Sequence, residues 1–131
     1  MAQQKIHVWA GTTDKTEEQF DKYFDQSKFI KDNSDLNQRS QFGKDLNLEK
    51  AYDEDWITVY HSRKRISMQS AIEELPIWDD QLEVAIYQAG IKKGLPLVNA
   101  IISYADDELT IEKPLNSYNN LVYLGSFNNP S

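Results

Sequence analysis

The segment Leu97–Ala105, LVNAIISYA, is the strongest constraint on what this chain can fold into. Successive side chains of an extended segment point to opposite faces. Both faces are then apolar here, except at Asn99. The segment reads as a central strand of a sheet, covered on both sides. The apolar run that contains it, residues 95–105, is far shorter than the ~20 residues a membrane-crossing helix needs.

The other elements can be read around that strand. KIHVWAG alternates and predicts a strand over residues 5–10, stopped by Gly11. A helix follows, capped by Asp14 or Thr16 with Glu17 or Gln19 three residues later. Phe20, Tyr23 and Phe24 fall on one face of it. Residues 31–40 read as loop, and SQFGKDL as a short helix capped by Ser40 that buries Phe42 and Leu46. A loop over residues 47–55 leads to a strand at 56–60, and SRKR (62–65) reads as a basic turn. Met68, Ala71, Ile72 and Leu75 have helical spacing, ended by Pro76. The next helix, 79–94, takes Asp79 or Asp80 as cap and stops at Gly94 and Pro96. Leu82, Ile86 and Ala89 lie on one side of it and Val84, Tyr87 and Ile91 on another, so burial over much of its circumference is expected. DDELTI (106–111) reads as a turn and a short edge strand, NNLVYLGSF (119–127) as a last strand opened by an Asn-Asn turn, and 128–131 as tail.

This order predicts an α+β fold: a single domain over residues 1–131, with a four- to five-stranded mixed or antiparallel sheet and helices packed mainly on one face. The middle connections are long enough to permit some parallel pairs.

Composition narrows the function classes. With no cysteine there is no disulfide framework, thiol nucleophile or cysteine-based zinc site. The first 13 residues hold no apolar stretch of signal-peptide length, and a cytoplasmic protein is expected. Net charge is −7 and unevenly spread. Residues 1–65 carry 11 basic and 12 acidic groups, whereas residues 66–131 carry 3 and 9. Such a field disfavours nucleic acid and anionic membranes and favours encounter with cationic partners.

No catalytic set stands out. The two histidines, His7 and His61, lack a second ligand at i+3 or i+4. DED (53–55) lacks the pattern of a calcium loop. GIKKG ends a helix, whereas a phosphate loop begins one. The pairs Asp79/Asp80 and Asp106/Asp107 suit caps and turns. No metal, no cofactor and no enzymatic activity are therefore expected. A small metal-dependent hydrolase using Asp53 and Asp55, or an acidic adaptor, is the competing reading. Trp56 and Trp78 each adjoin acids, a combination suited to contact with a basic protein. The expected partner-binding residues are Glu54, Trp56, Trp78, Asp79, Asp80 and Glu83. In an extended segment Asp53 and Asp55 would face one way, bonded to local backbone or to Arg63 and Arg65, with Glu54 the free charge.

The order HVWAGTT…TEEQFDKYF…SQFGKDLNLEKAYDEDW resembles the immunity protein 22 family of bacterial polymorphic toxin systems. The likeness is carried by Val8, Trp9, Gly11, Tyr23, Ser40, Phe42, Asp45, Tyr52, Asp53, Asp55 and Trp56, with an echo in GLPLVNAIISY (94–104). Ile57 and Thr58 stand where that family places an acid. The resemblance implies an α+β protein that binds a toxin domain and protects the producing cell. Toxins of this kind are often cationic nucleases. It also implies that the motif residues other than the DEDW acid and ring at 54 and 56 serve structure.

Overall fold

The computed structural model describes residues 5–32 and 34–129. The elements are β1 (Lys5–Gly11), α1 (Glu17–Lys22), α2 (Ser27–Lys31), a 3-10 turn (Leu36–Gln38), α3 (Gln41–Asp45), β2 (Ile57–Ser67), α4 (Met68–Ile72), α5 (Asp80–Lys92), β3 (Leu97–Ala105), β4 (Ser117–Tyr118) and β5 (Leu121–Asn128). The fold is α+β, with a five-stranded sheet of order β2-β3-β1-β5-β4 in which every neighbouring pair is antiparallel. Among the described residues the parallel pairs that the long connections would permit do not occur. The chain divides into two compact units: one holds the chain up to Thr13 and from Asp55 onward, the other Asp14–Glu54.

In the first unit, Ile6, Val8 and Ala10 of β1 project from one face of the sheet. They join Val98, Ile101 and Leu124 in one core with Met68, Ala71 and Ile72 of α4 and Leu82 and Ile86 of α5. The alternate residues of β1 form an aromatic layer: the Trp9 ring lies 5.3 Å from Tyr123 and 5.9 Å from Tyr118. Asp79 caps α5, accepting from the Leu82 N–H at 3.3 Å. At the other end Gly94, at φ 79°, adopts the left-handed conformation. This lets Gly94 N–H reach Ile91 O (2.9 Å) and Leu95 N–H reach Gly90 O (3.0 Å), closing the helix carbonyls. Asn119 and Asn120, both at positive φ, form the tight turn from β4 into β5.

In the second unit, Thr16 caps α1 in a reciprocal box with Gln19, and Ser40 caps α3 by accepting from Gly43 N–H at 2.9 Å. The rings of Phe20, Tyr23, Phe24, Phe42 and Tyr52 pack as one cluster, with neighbouring centroids 5.1–6.0 Å apart. The 3-10 turn lies within residues 31–40, read from sequence as loop, and α2 occupies residues 27–31, which the sequence pattern does not mark as a helix. Phe29 is buried, and a single apolar anchor gives too little periodicity to announce a five-residue helix.

Three further expectations are corrected. SRKR is no turn: β2 continues through it, with His61 opposite Ala100 and Ile66 opposite Val98. Residues 62–65 thus stand opposite Asn99 alone, a bulge on an edge strand where Arg63, Lys64 and Arg65 are exposed. Charge and bulging on an edge discourage pairing with another sheet. DDELTI forms no strand; the edge strand is β4, and Asp106 makes a turn by accepting from Glu108 N–H at 2.9 Å. Finally, α5 is buried on one side only: Val84, Tyr87 and Ile91 are exposed. Of the tail expected over 128–131, residues 130 and 131 lie outside the described residues.

Candidate functional site

The residues that carry the family resemblance fall into both units. In the first, Trp9 is fully buried, and a side chain at Gly11 would meet the Leu121 backbone and side chain at 3.3 Å, a tight contact in which Leu121 would have to give by a few tenths of an ångström. In the second, the Tyr23 hydroxyl donates to Asp45, which also accepts from Gln41 Nε2 at 2.8 Å. Phe42 N–H donates to Tyr23 O at 3.0 Å, tying α3 to the end of α1. Tyr52 is held three ways: its N–H donates to Gln26 Oε1 (3.1 Å), its carbonyl accepts from Gln26 Nε2 (3.0 Å), and its hydroxyl donates to Phe24 O. Ser40, Phe42, Asp45, Tyr23 and Tyr52 therefore assemble the cap, rings and clamps of this unit.

The DEDW stretch is not extended. The chain turns at Glu54 and Asp55, so the alternation of Asp53 and Asp55 against Glu54 does not apply. Asp53, Glu54, Asp55 and Trp56 are all exposed. Among the described residues no three of His, Cys, Asp and Glu are grouped to hold a metal ion. His7 is buried, with Nδ1 2.9 Å from the Tyr123 hydroxyl and Nε2 facing the Asp106 carbonyl at 3.4 Å. Burial lowers its pKa, partly opposed by the Asp106 carbonyl, and burial also pushes the Tyr123 phenol up to about 12. The neutral ring accepts the Tyr123 proton at Nδ1 and donates from Nε2, a structural arrangement.

The second face of α5 gathers the remaining expected residues. Trp78 is 80% exposed immediately before the cap Asp79, and Asp80 and Glu83 lie in the first turn. At 100° per residue Asp80, Val84, Tyr87 and Ile91 share one outward face. No basic residue lies between Arg65 and Lys92, while Glu73, Glu74, Asp79, Asp80 and Glu83 do. Between α4 and α5 runs a groove of about 150 Å³, lined by Gln69, Ile72, Glu73, Glu83, Val84 and Tyr87. Sequence reasoning named the acids and Trp78 but placed Val84, Tyr87 and Ile91 in the core. An apolar stripe on a surface helix looks the same whether it meets the protein's own core or a partner.

A second, larger groove of about 440 Å³ lies within the Asp14–Glu54 unit, bordered by Lys15, Lys22, Lys28 and Arg39. Arg39 is committed to local backbone, donating to Leu36 O at 2.7 Å and Leu48 O at 2.9 Å, and Lys15 lies over the Tyr23 ring at 5.6 Å. Two of its four cations, Arg39 and Lys15, are thus engaged locally.

Among the described residues no helix is long and apolar enough to cross a membrane. No curated protein and no solved structure matches the chain. The model of the family described as Immunity protein 22 matches residues 6–129, spanning both units and every motif residue above, and the chain belongs to that family of toxin-neutralising proteins.

Proposed function

We propose that this protein neutralises a cognate toxin domain by binding it without catalysing a reaction, that the toxin is cationic and of the nuclease type, and that binding takes place in the cytoplasm of the producing cell. The observation that carries the cationic partner is the charge run over α4 and α5. Five carboxylates without a cation accompany a tryptophan that is 80% exposed. An acidic surface with a large amphipathic ring matches a protein surface built to hold phosphate, which it can occupy in place of nucleic acid. Inertness is the expectation from the sequence, in which no motif nominates a nucleophile, a base or a ligand set.

The test is co-expression of the chain with the toxin domain encoded beside it. Growth should be restored, a stoichiometric complex should co-purify, and nuclease activity should be blocked in proportion to complex formed. Two results would refute the reading: rescue without a complex, or turnover of nucleic acid or phosphoester by the purified chain that disappears in Asp53→Asn or Asp55→Asn.

A further inference from the structure

We infer that the groove between α4 and α5 is a socket for a single arginine side chain of the partner; this rests on the reading that the chain binds a protein toxin. At about 150 Å³ the groove is smaller than the roughly 300–1,000 Å³ of a small-molecule site, so it suits one side chain better than a cofactor or nucleotide. Its walls are of two kinds. Ile72 and Val84 offer apolar surface to an aliphatic stem, and Glu73 and Glu83, one from each side of the groove, offer carboxylates to its charged end. Tyr87, 41% exposed, presents an aromatic ring at the same place.

This set distinguishes arginine from the alternatives. An apolar side chain would leave two carboxylates without a cation and would bury them at a cost. A lysine ammonium is a strongly hydrated point charge, whereas a guanidinium is weakly hydrated, forks between carboxylate oxygens and stacks on a ring. The groove also lies on the helix face that carries Asp80 and Ile91, so an arginine seated there would be flanked by both charge and apolar contact. Burying such a cation against two carboxylates makes the groove a centre of the contact, with the outlying acids as its rim.

The probe is N-acetyl-arginine amide, titrated into the full isotope-labelled chain and followed by amide chemical shifts. Lysine and norleucine amides serve as comparisons. The expected result is saturable shifts confined to residues 69–73 and 83–87, with weaker binding of the lysine amide and none of the norleucine amide. Glu73→Gln and Glu83→Gln should each weaken the arginine response about two- to fivefold, the range for a solvent-accessible ion pair. Tyr87→Leu should narrow the gap between arginine and lysine. Equal responses to the lysine and arginine amides, shifts with norleucine amide, or no saturable shifts at the groove would overturn the assignment. If the toxin is neutralised while the groove stays silent, only the socket fails. If arginine amide binds but no toxin does, the reading on which it rests fails instead.

Discussion

Asn99 closes both main-chain hydrogen bonds of Thr13. Its Oδ1 accepts from the Thr13 N–H and its Nδ2 donates to the Thr13 carbonyl, each at 2.9 Å, with both residues buried. Asn99, an amide in the apolar run of β3, thus acts as a piece of strand, holding the chain where it leaves β1. Asn99→Leu keeps the branched outline of the side chain and removes both bonds. It should cost about 2–4 kcal/mol, since each buried polar group that loses its bond costs about 1–3 kcal/mol. Denaturant unfolding checks this; a midpoint within error of the parent would mean that the pair contributes nothing net.

The aromatic cluster of the Asp14–Glu54 unit offers a second test. Phe42 is fully buried and touches Tyr23, Phe24 and Tyr52. Phe42→Ala should cost about 3–5 kcal/mol, the range for deleting a buried ring. Hydrogen exchange should show the loss first in α1 and α3. A variant with unchanged melting and unchanged protection would remove the ring cluster as the basis of this unit.

These two sites also show what the sequence reveals. Ser40, Phe42 and Leu46 announce a capped helix because cap chemistry and burial are local and coded within seven residues. The same holds for Thr16 with Gln19 and for the Asn119-Asn120 turn. What escapes is nonlocal. SRKR has turn composition, yet the ladder to β3 resumes at Ile66 and Ser67, so pairing partners decide its conformation. Val84, Tyr87 and Ile91 read as core because periodicity reports which residues share a face, not what covers that face. The candidate site therefore emerges in two parts. Its acids and Trp78 are visible as composition, while its apolar floor becomes visible only when α5 is seen packed on one side.

Gly90 makes the packing of α5 testable. A Cβ there would come within 2.5 Å of Met68 Cε and 3.0 Å of its sulfur. Gly90→Ala gains about 1 kcal/mol of helix propensity but overpacks a buried methionine, which typically costs about 1–3 kcal/mol. The net expectation is a loss of about 1 kcal/mol. A clear gain in melting temperature from Gly90→Ala alone would show that Met68 has room to withdraw.

His7 predicts a pH dependence of stability. Its folded pKa lies below the unfolded value of 6.5 because burial disfavours the cation. Between those two values the unfolded chain binds more protons than the folded one, so stability rises with pH. The contribution is complete above the unfolded pKa and is lost as the pH falls from there through the lowered folded value. Lys5 adds to the lowering and Asp106 opposes it. His7→Gln should therefore flatten the difference in melting temperature between about pH 7.5 and about pH 5.5, the window around an ordinary histidine. Identical slopes for parent and variant would show that His7 is not buried as a neutral ring.

The last prediction concerns steering of the toxin. If the acids of α4 and α5 meet a cationic partner, association should slow sharply with salt, because screening shortens the reach of exposed charges to about 10 Å near 0.1 M. Dissociation should change less. Asp80→Lys and Glu54→Lys separate the two acidic regions, since Asp80 sits at the start of α5 and Glu54 in the turn of DEDW. Loss of on-rate at Asp80 with little change at Glu54 would locate the contact on α5. Trp78→Ala should raise the off-rate and cost about 2 kcal/mol or more, the size of a hot-spot ring. Asp79→Lys must be judged beside its melting temperature, because removing the cap that receives Leu82 N–H costs about 1 kcal/mol of helix stability on its own. Binding that is flat in salt and unaffected by Asp80→Lys and Trp78→Ala would leave the acidity of α4 and α5 as a matter of solubility and move the search for the interface to Glu54 and Trp56.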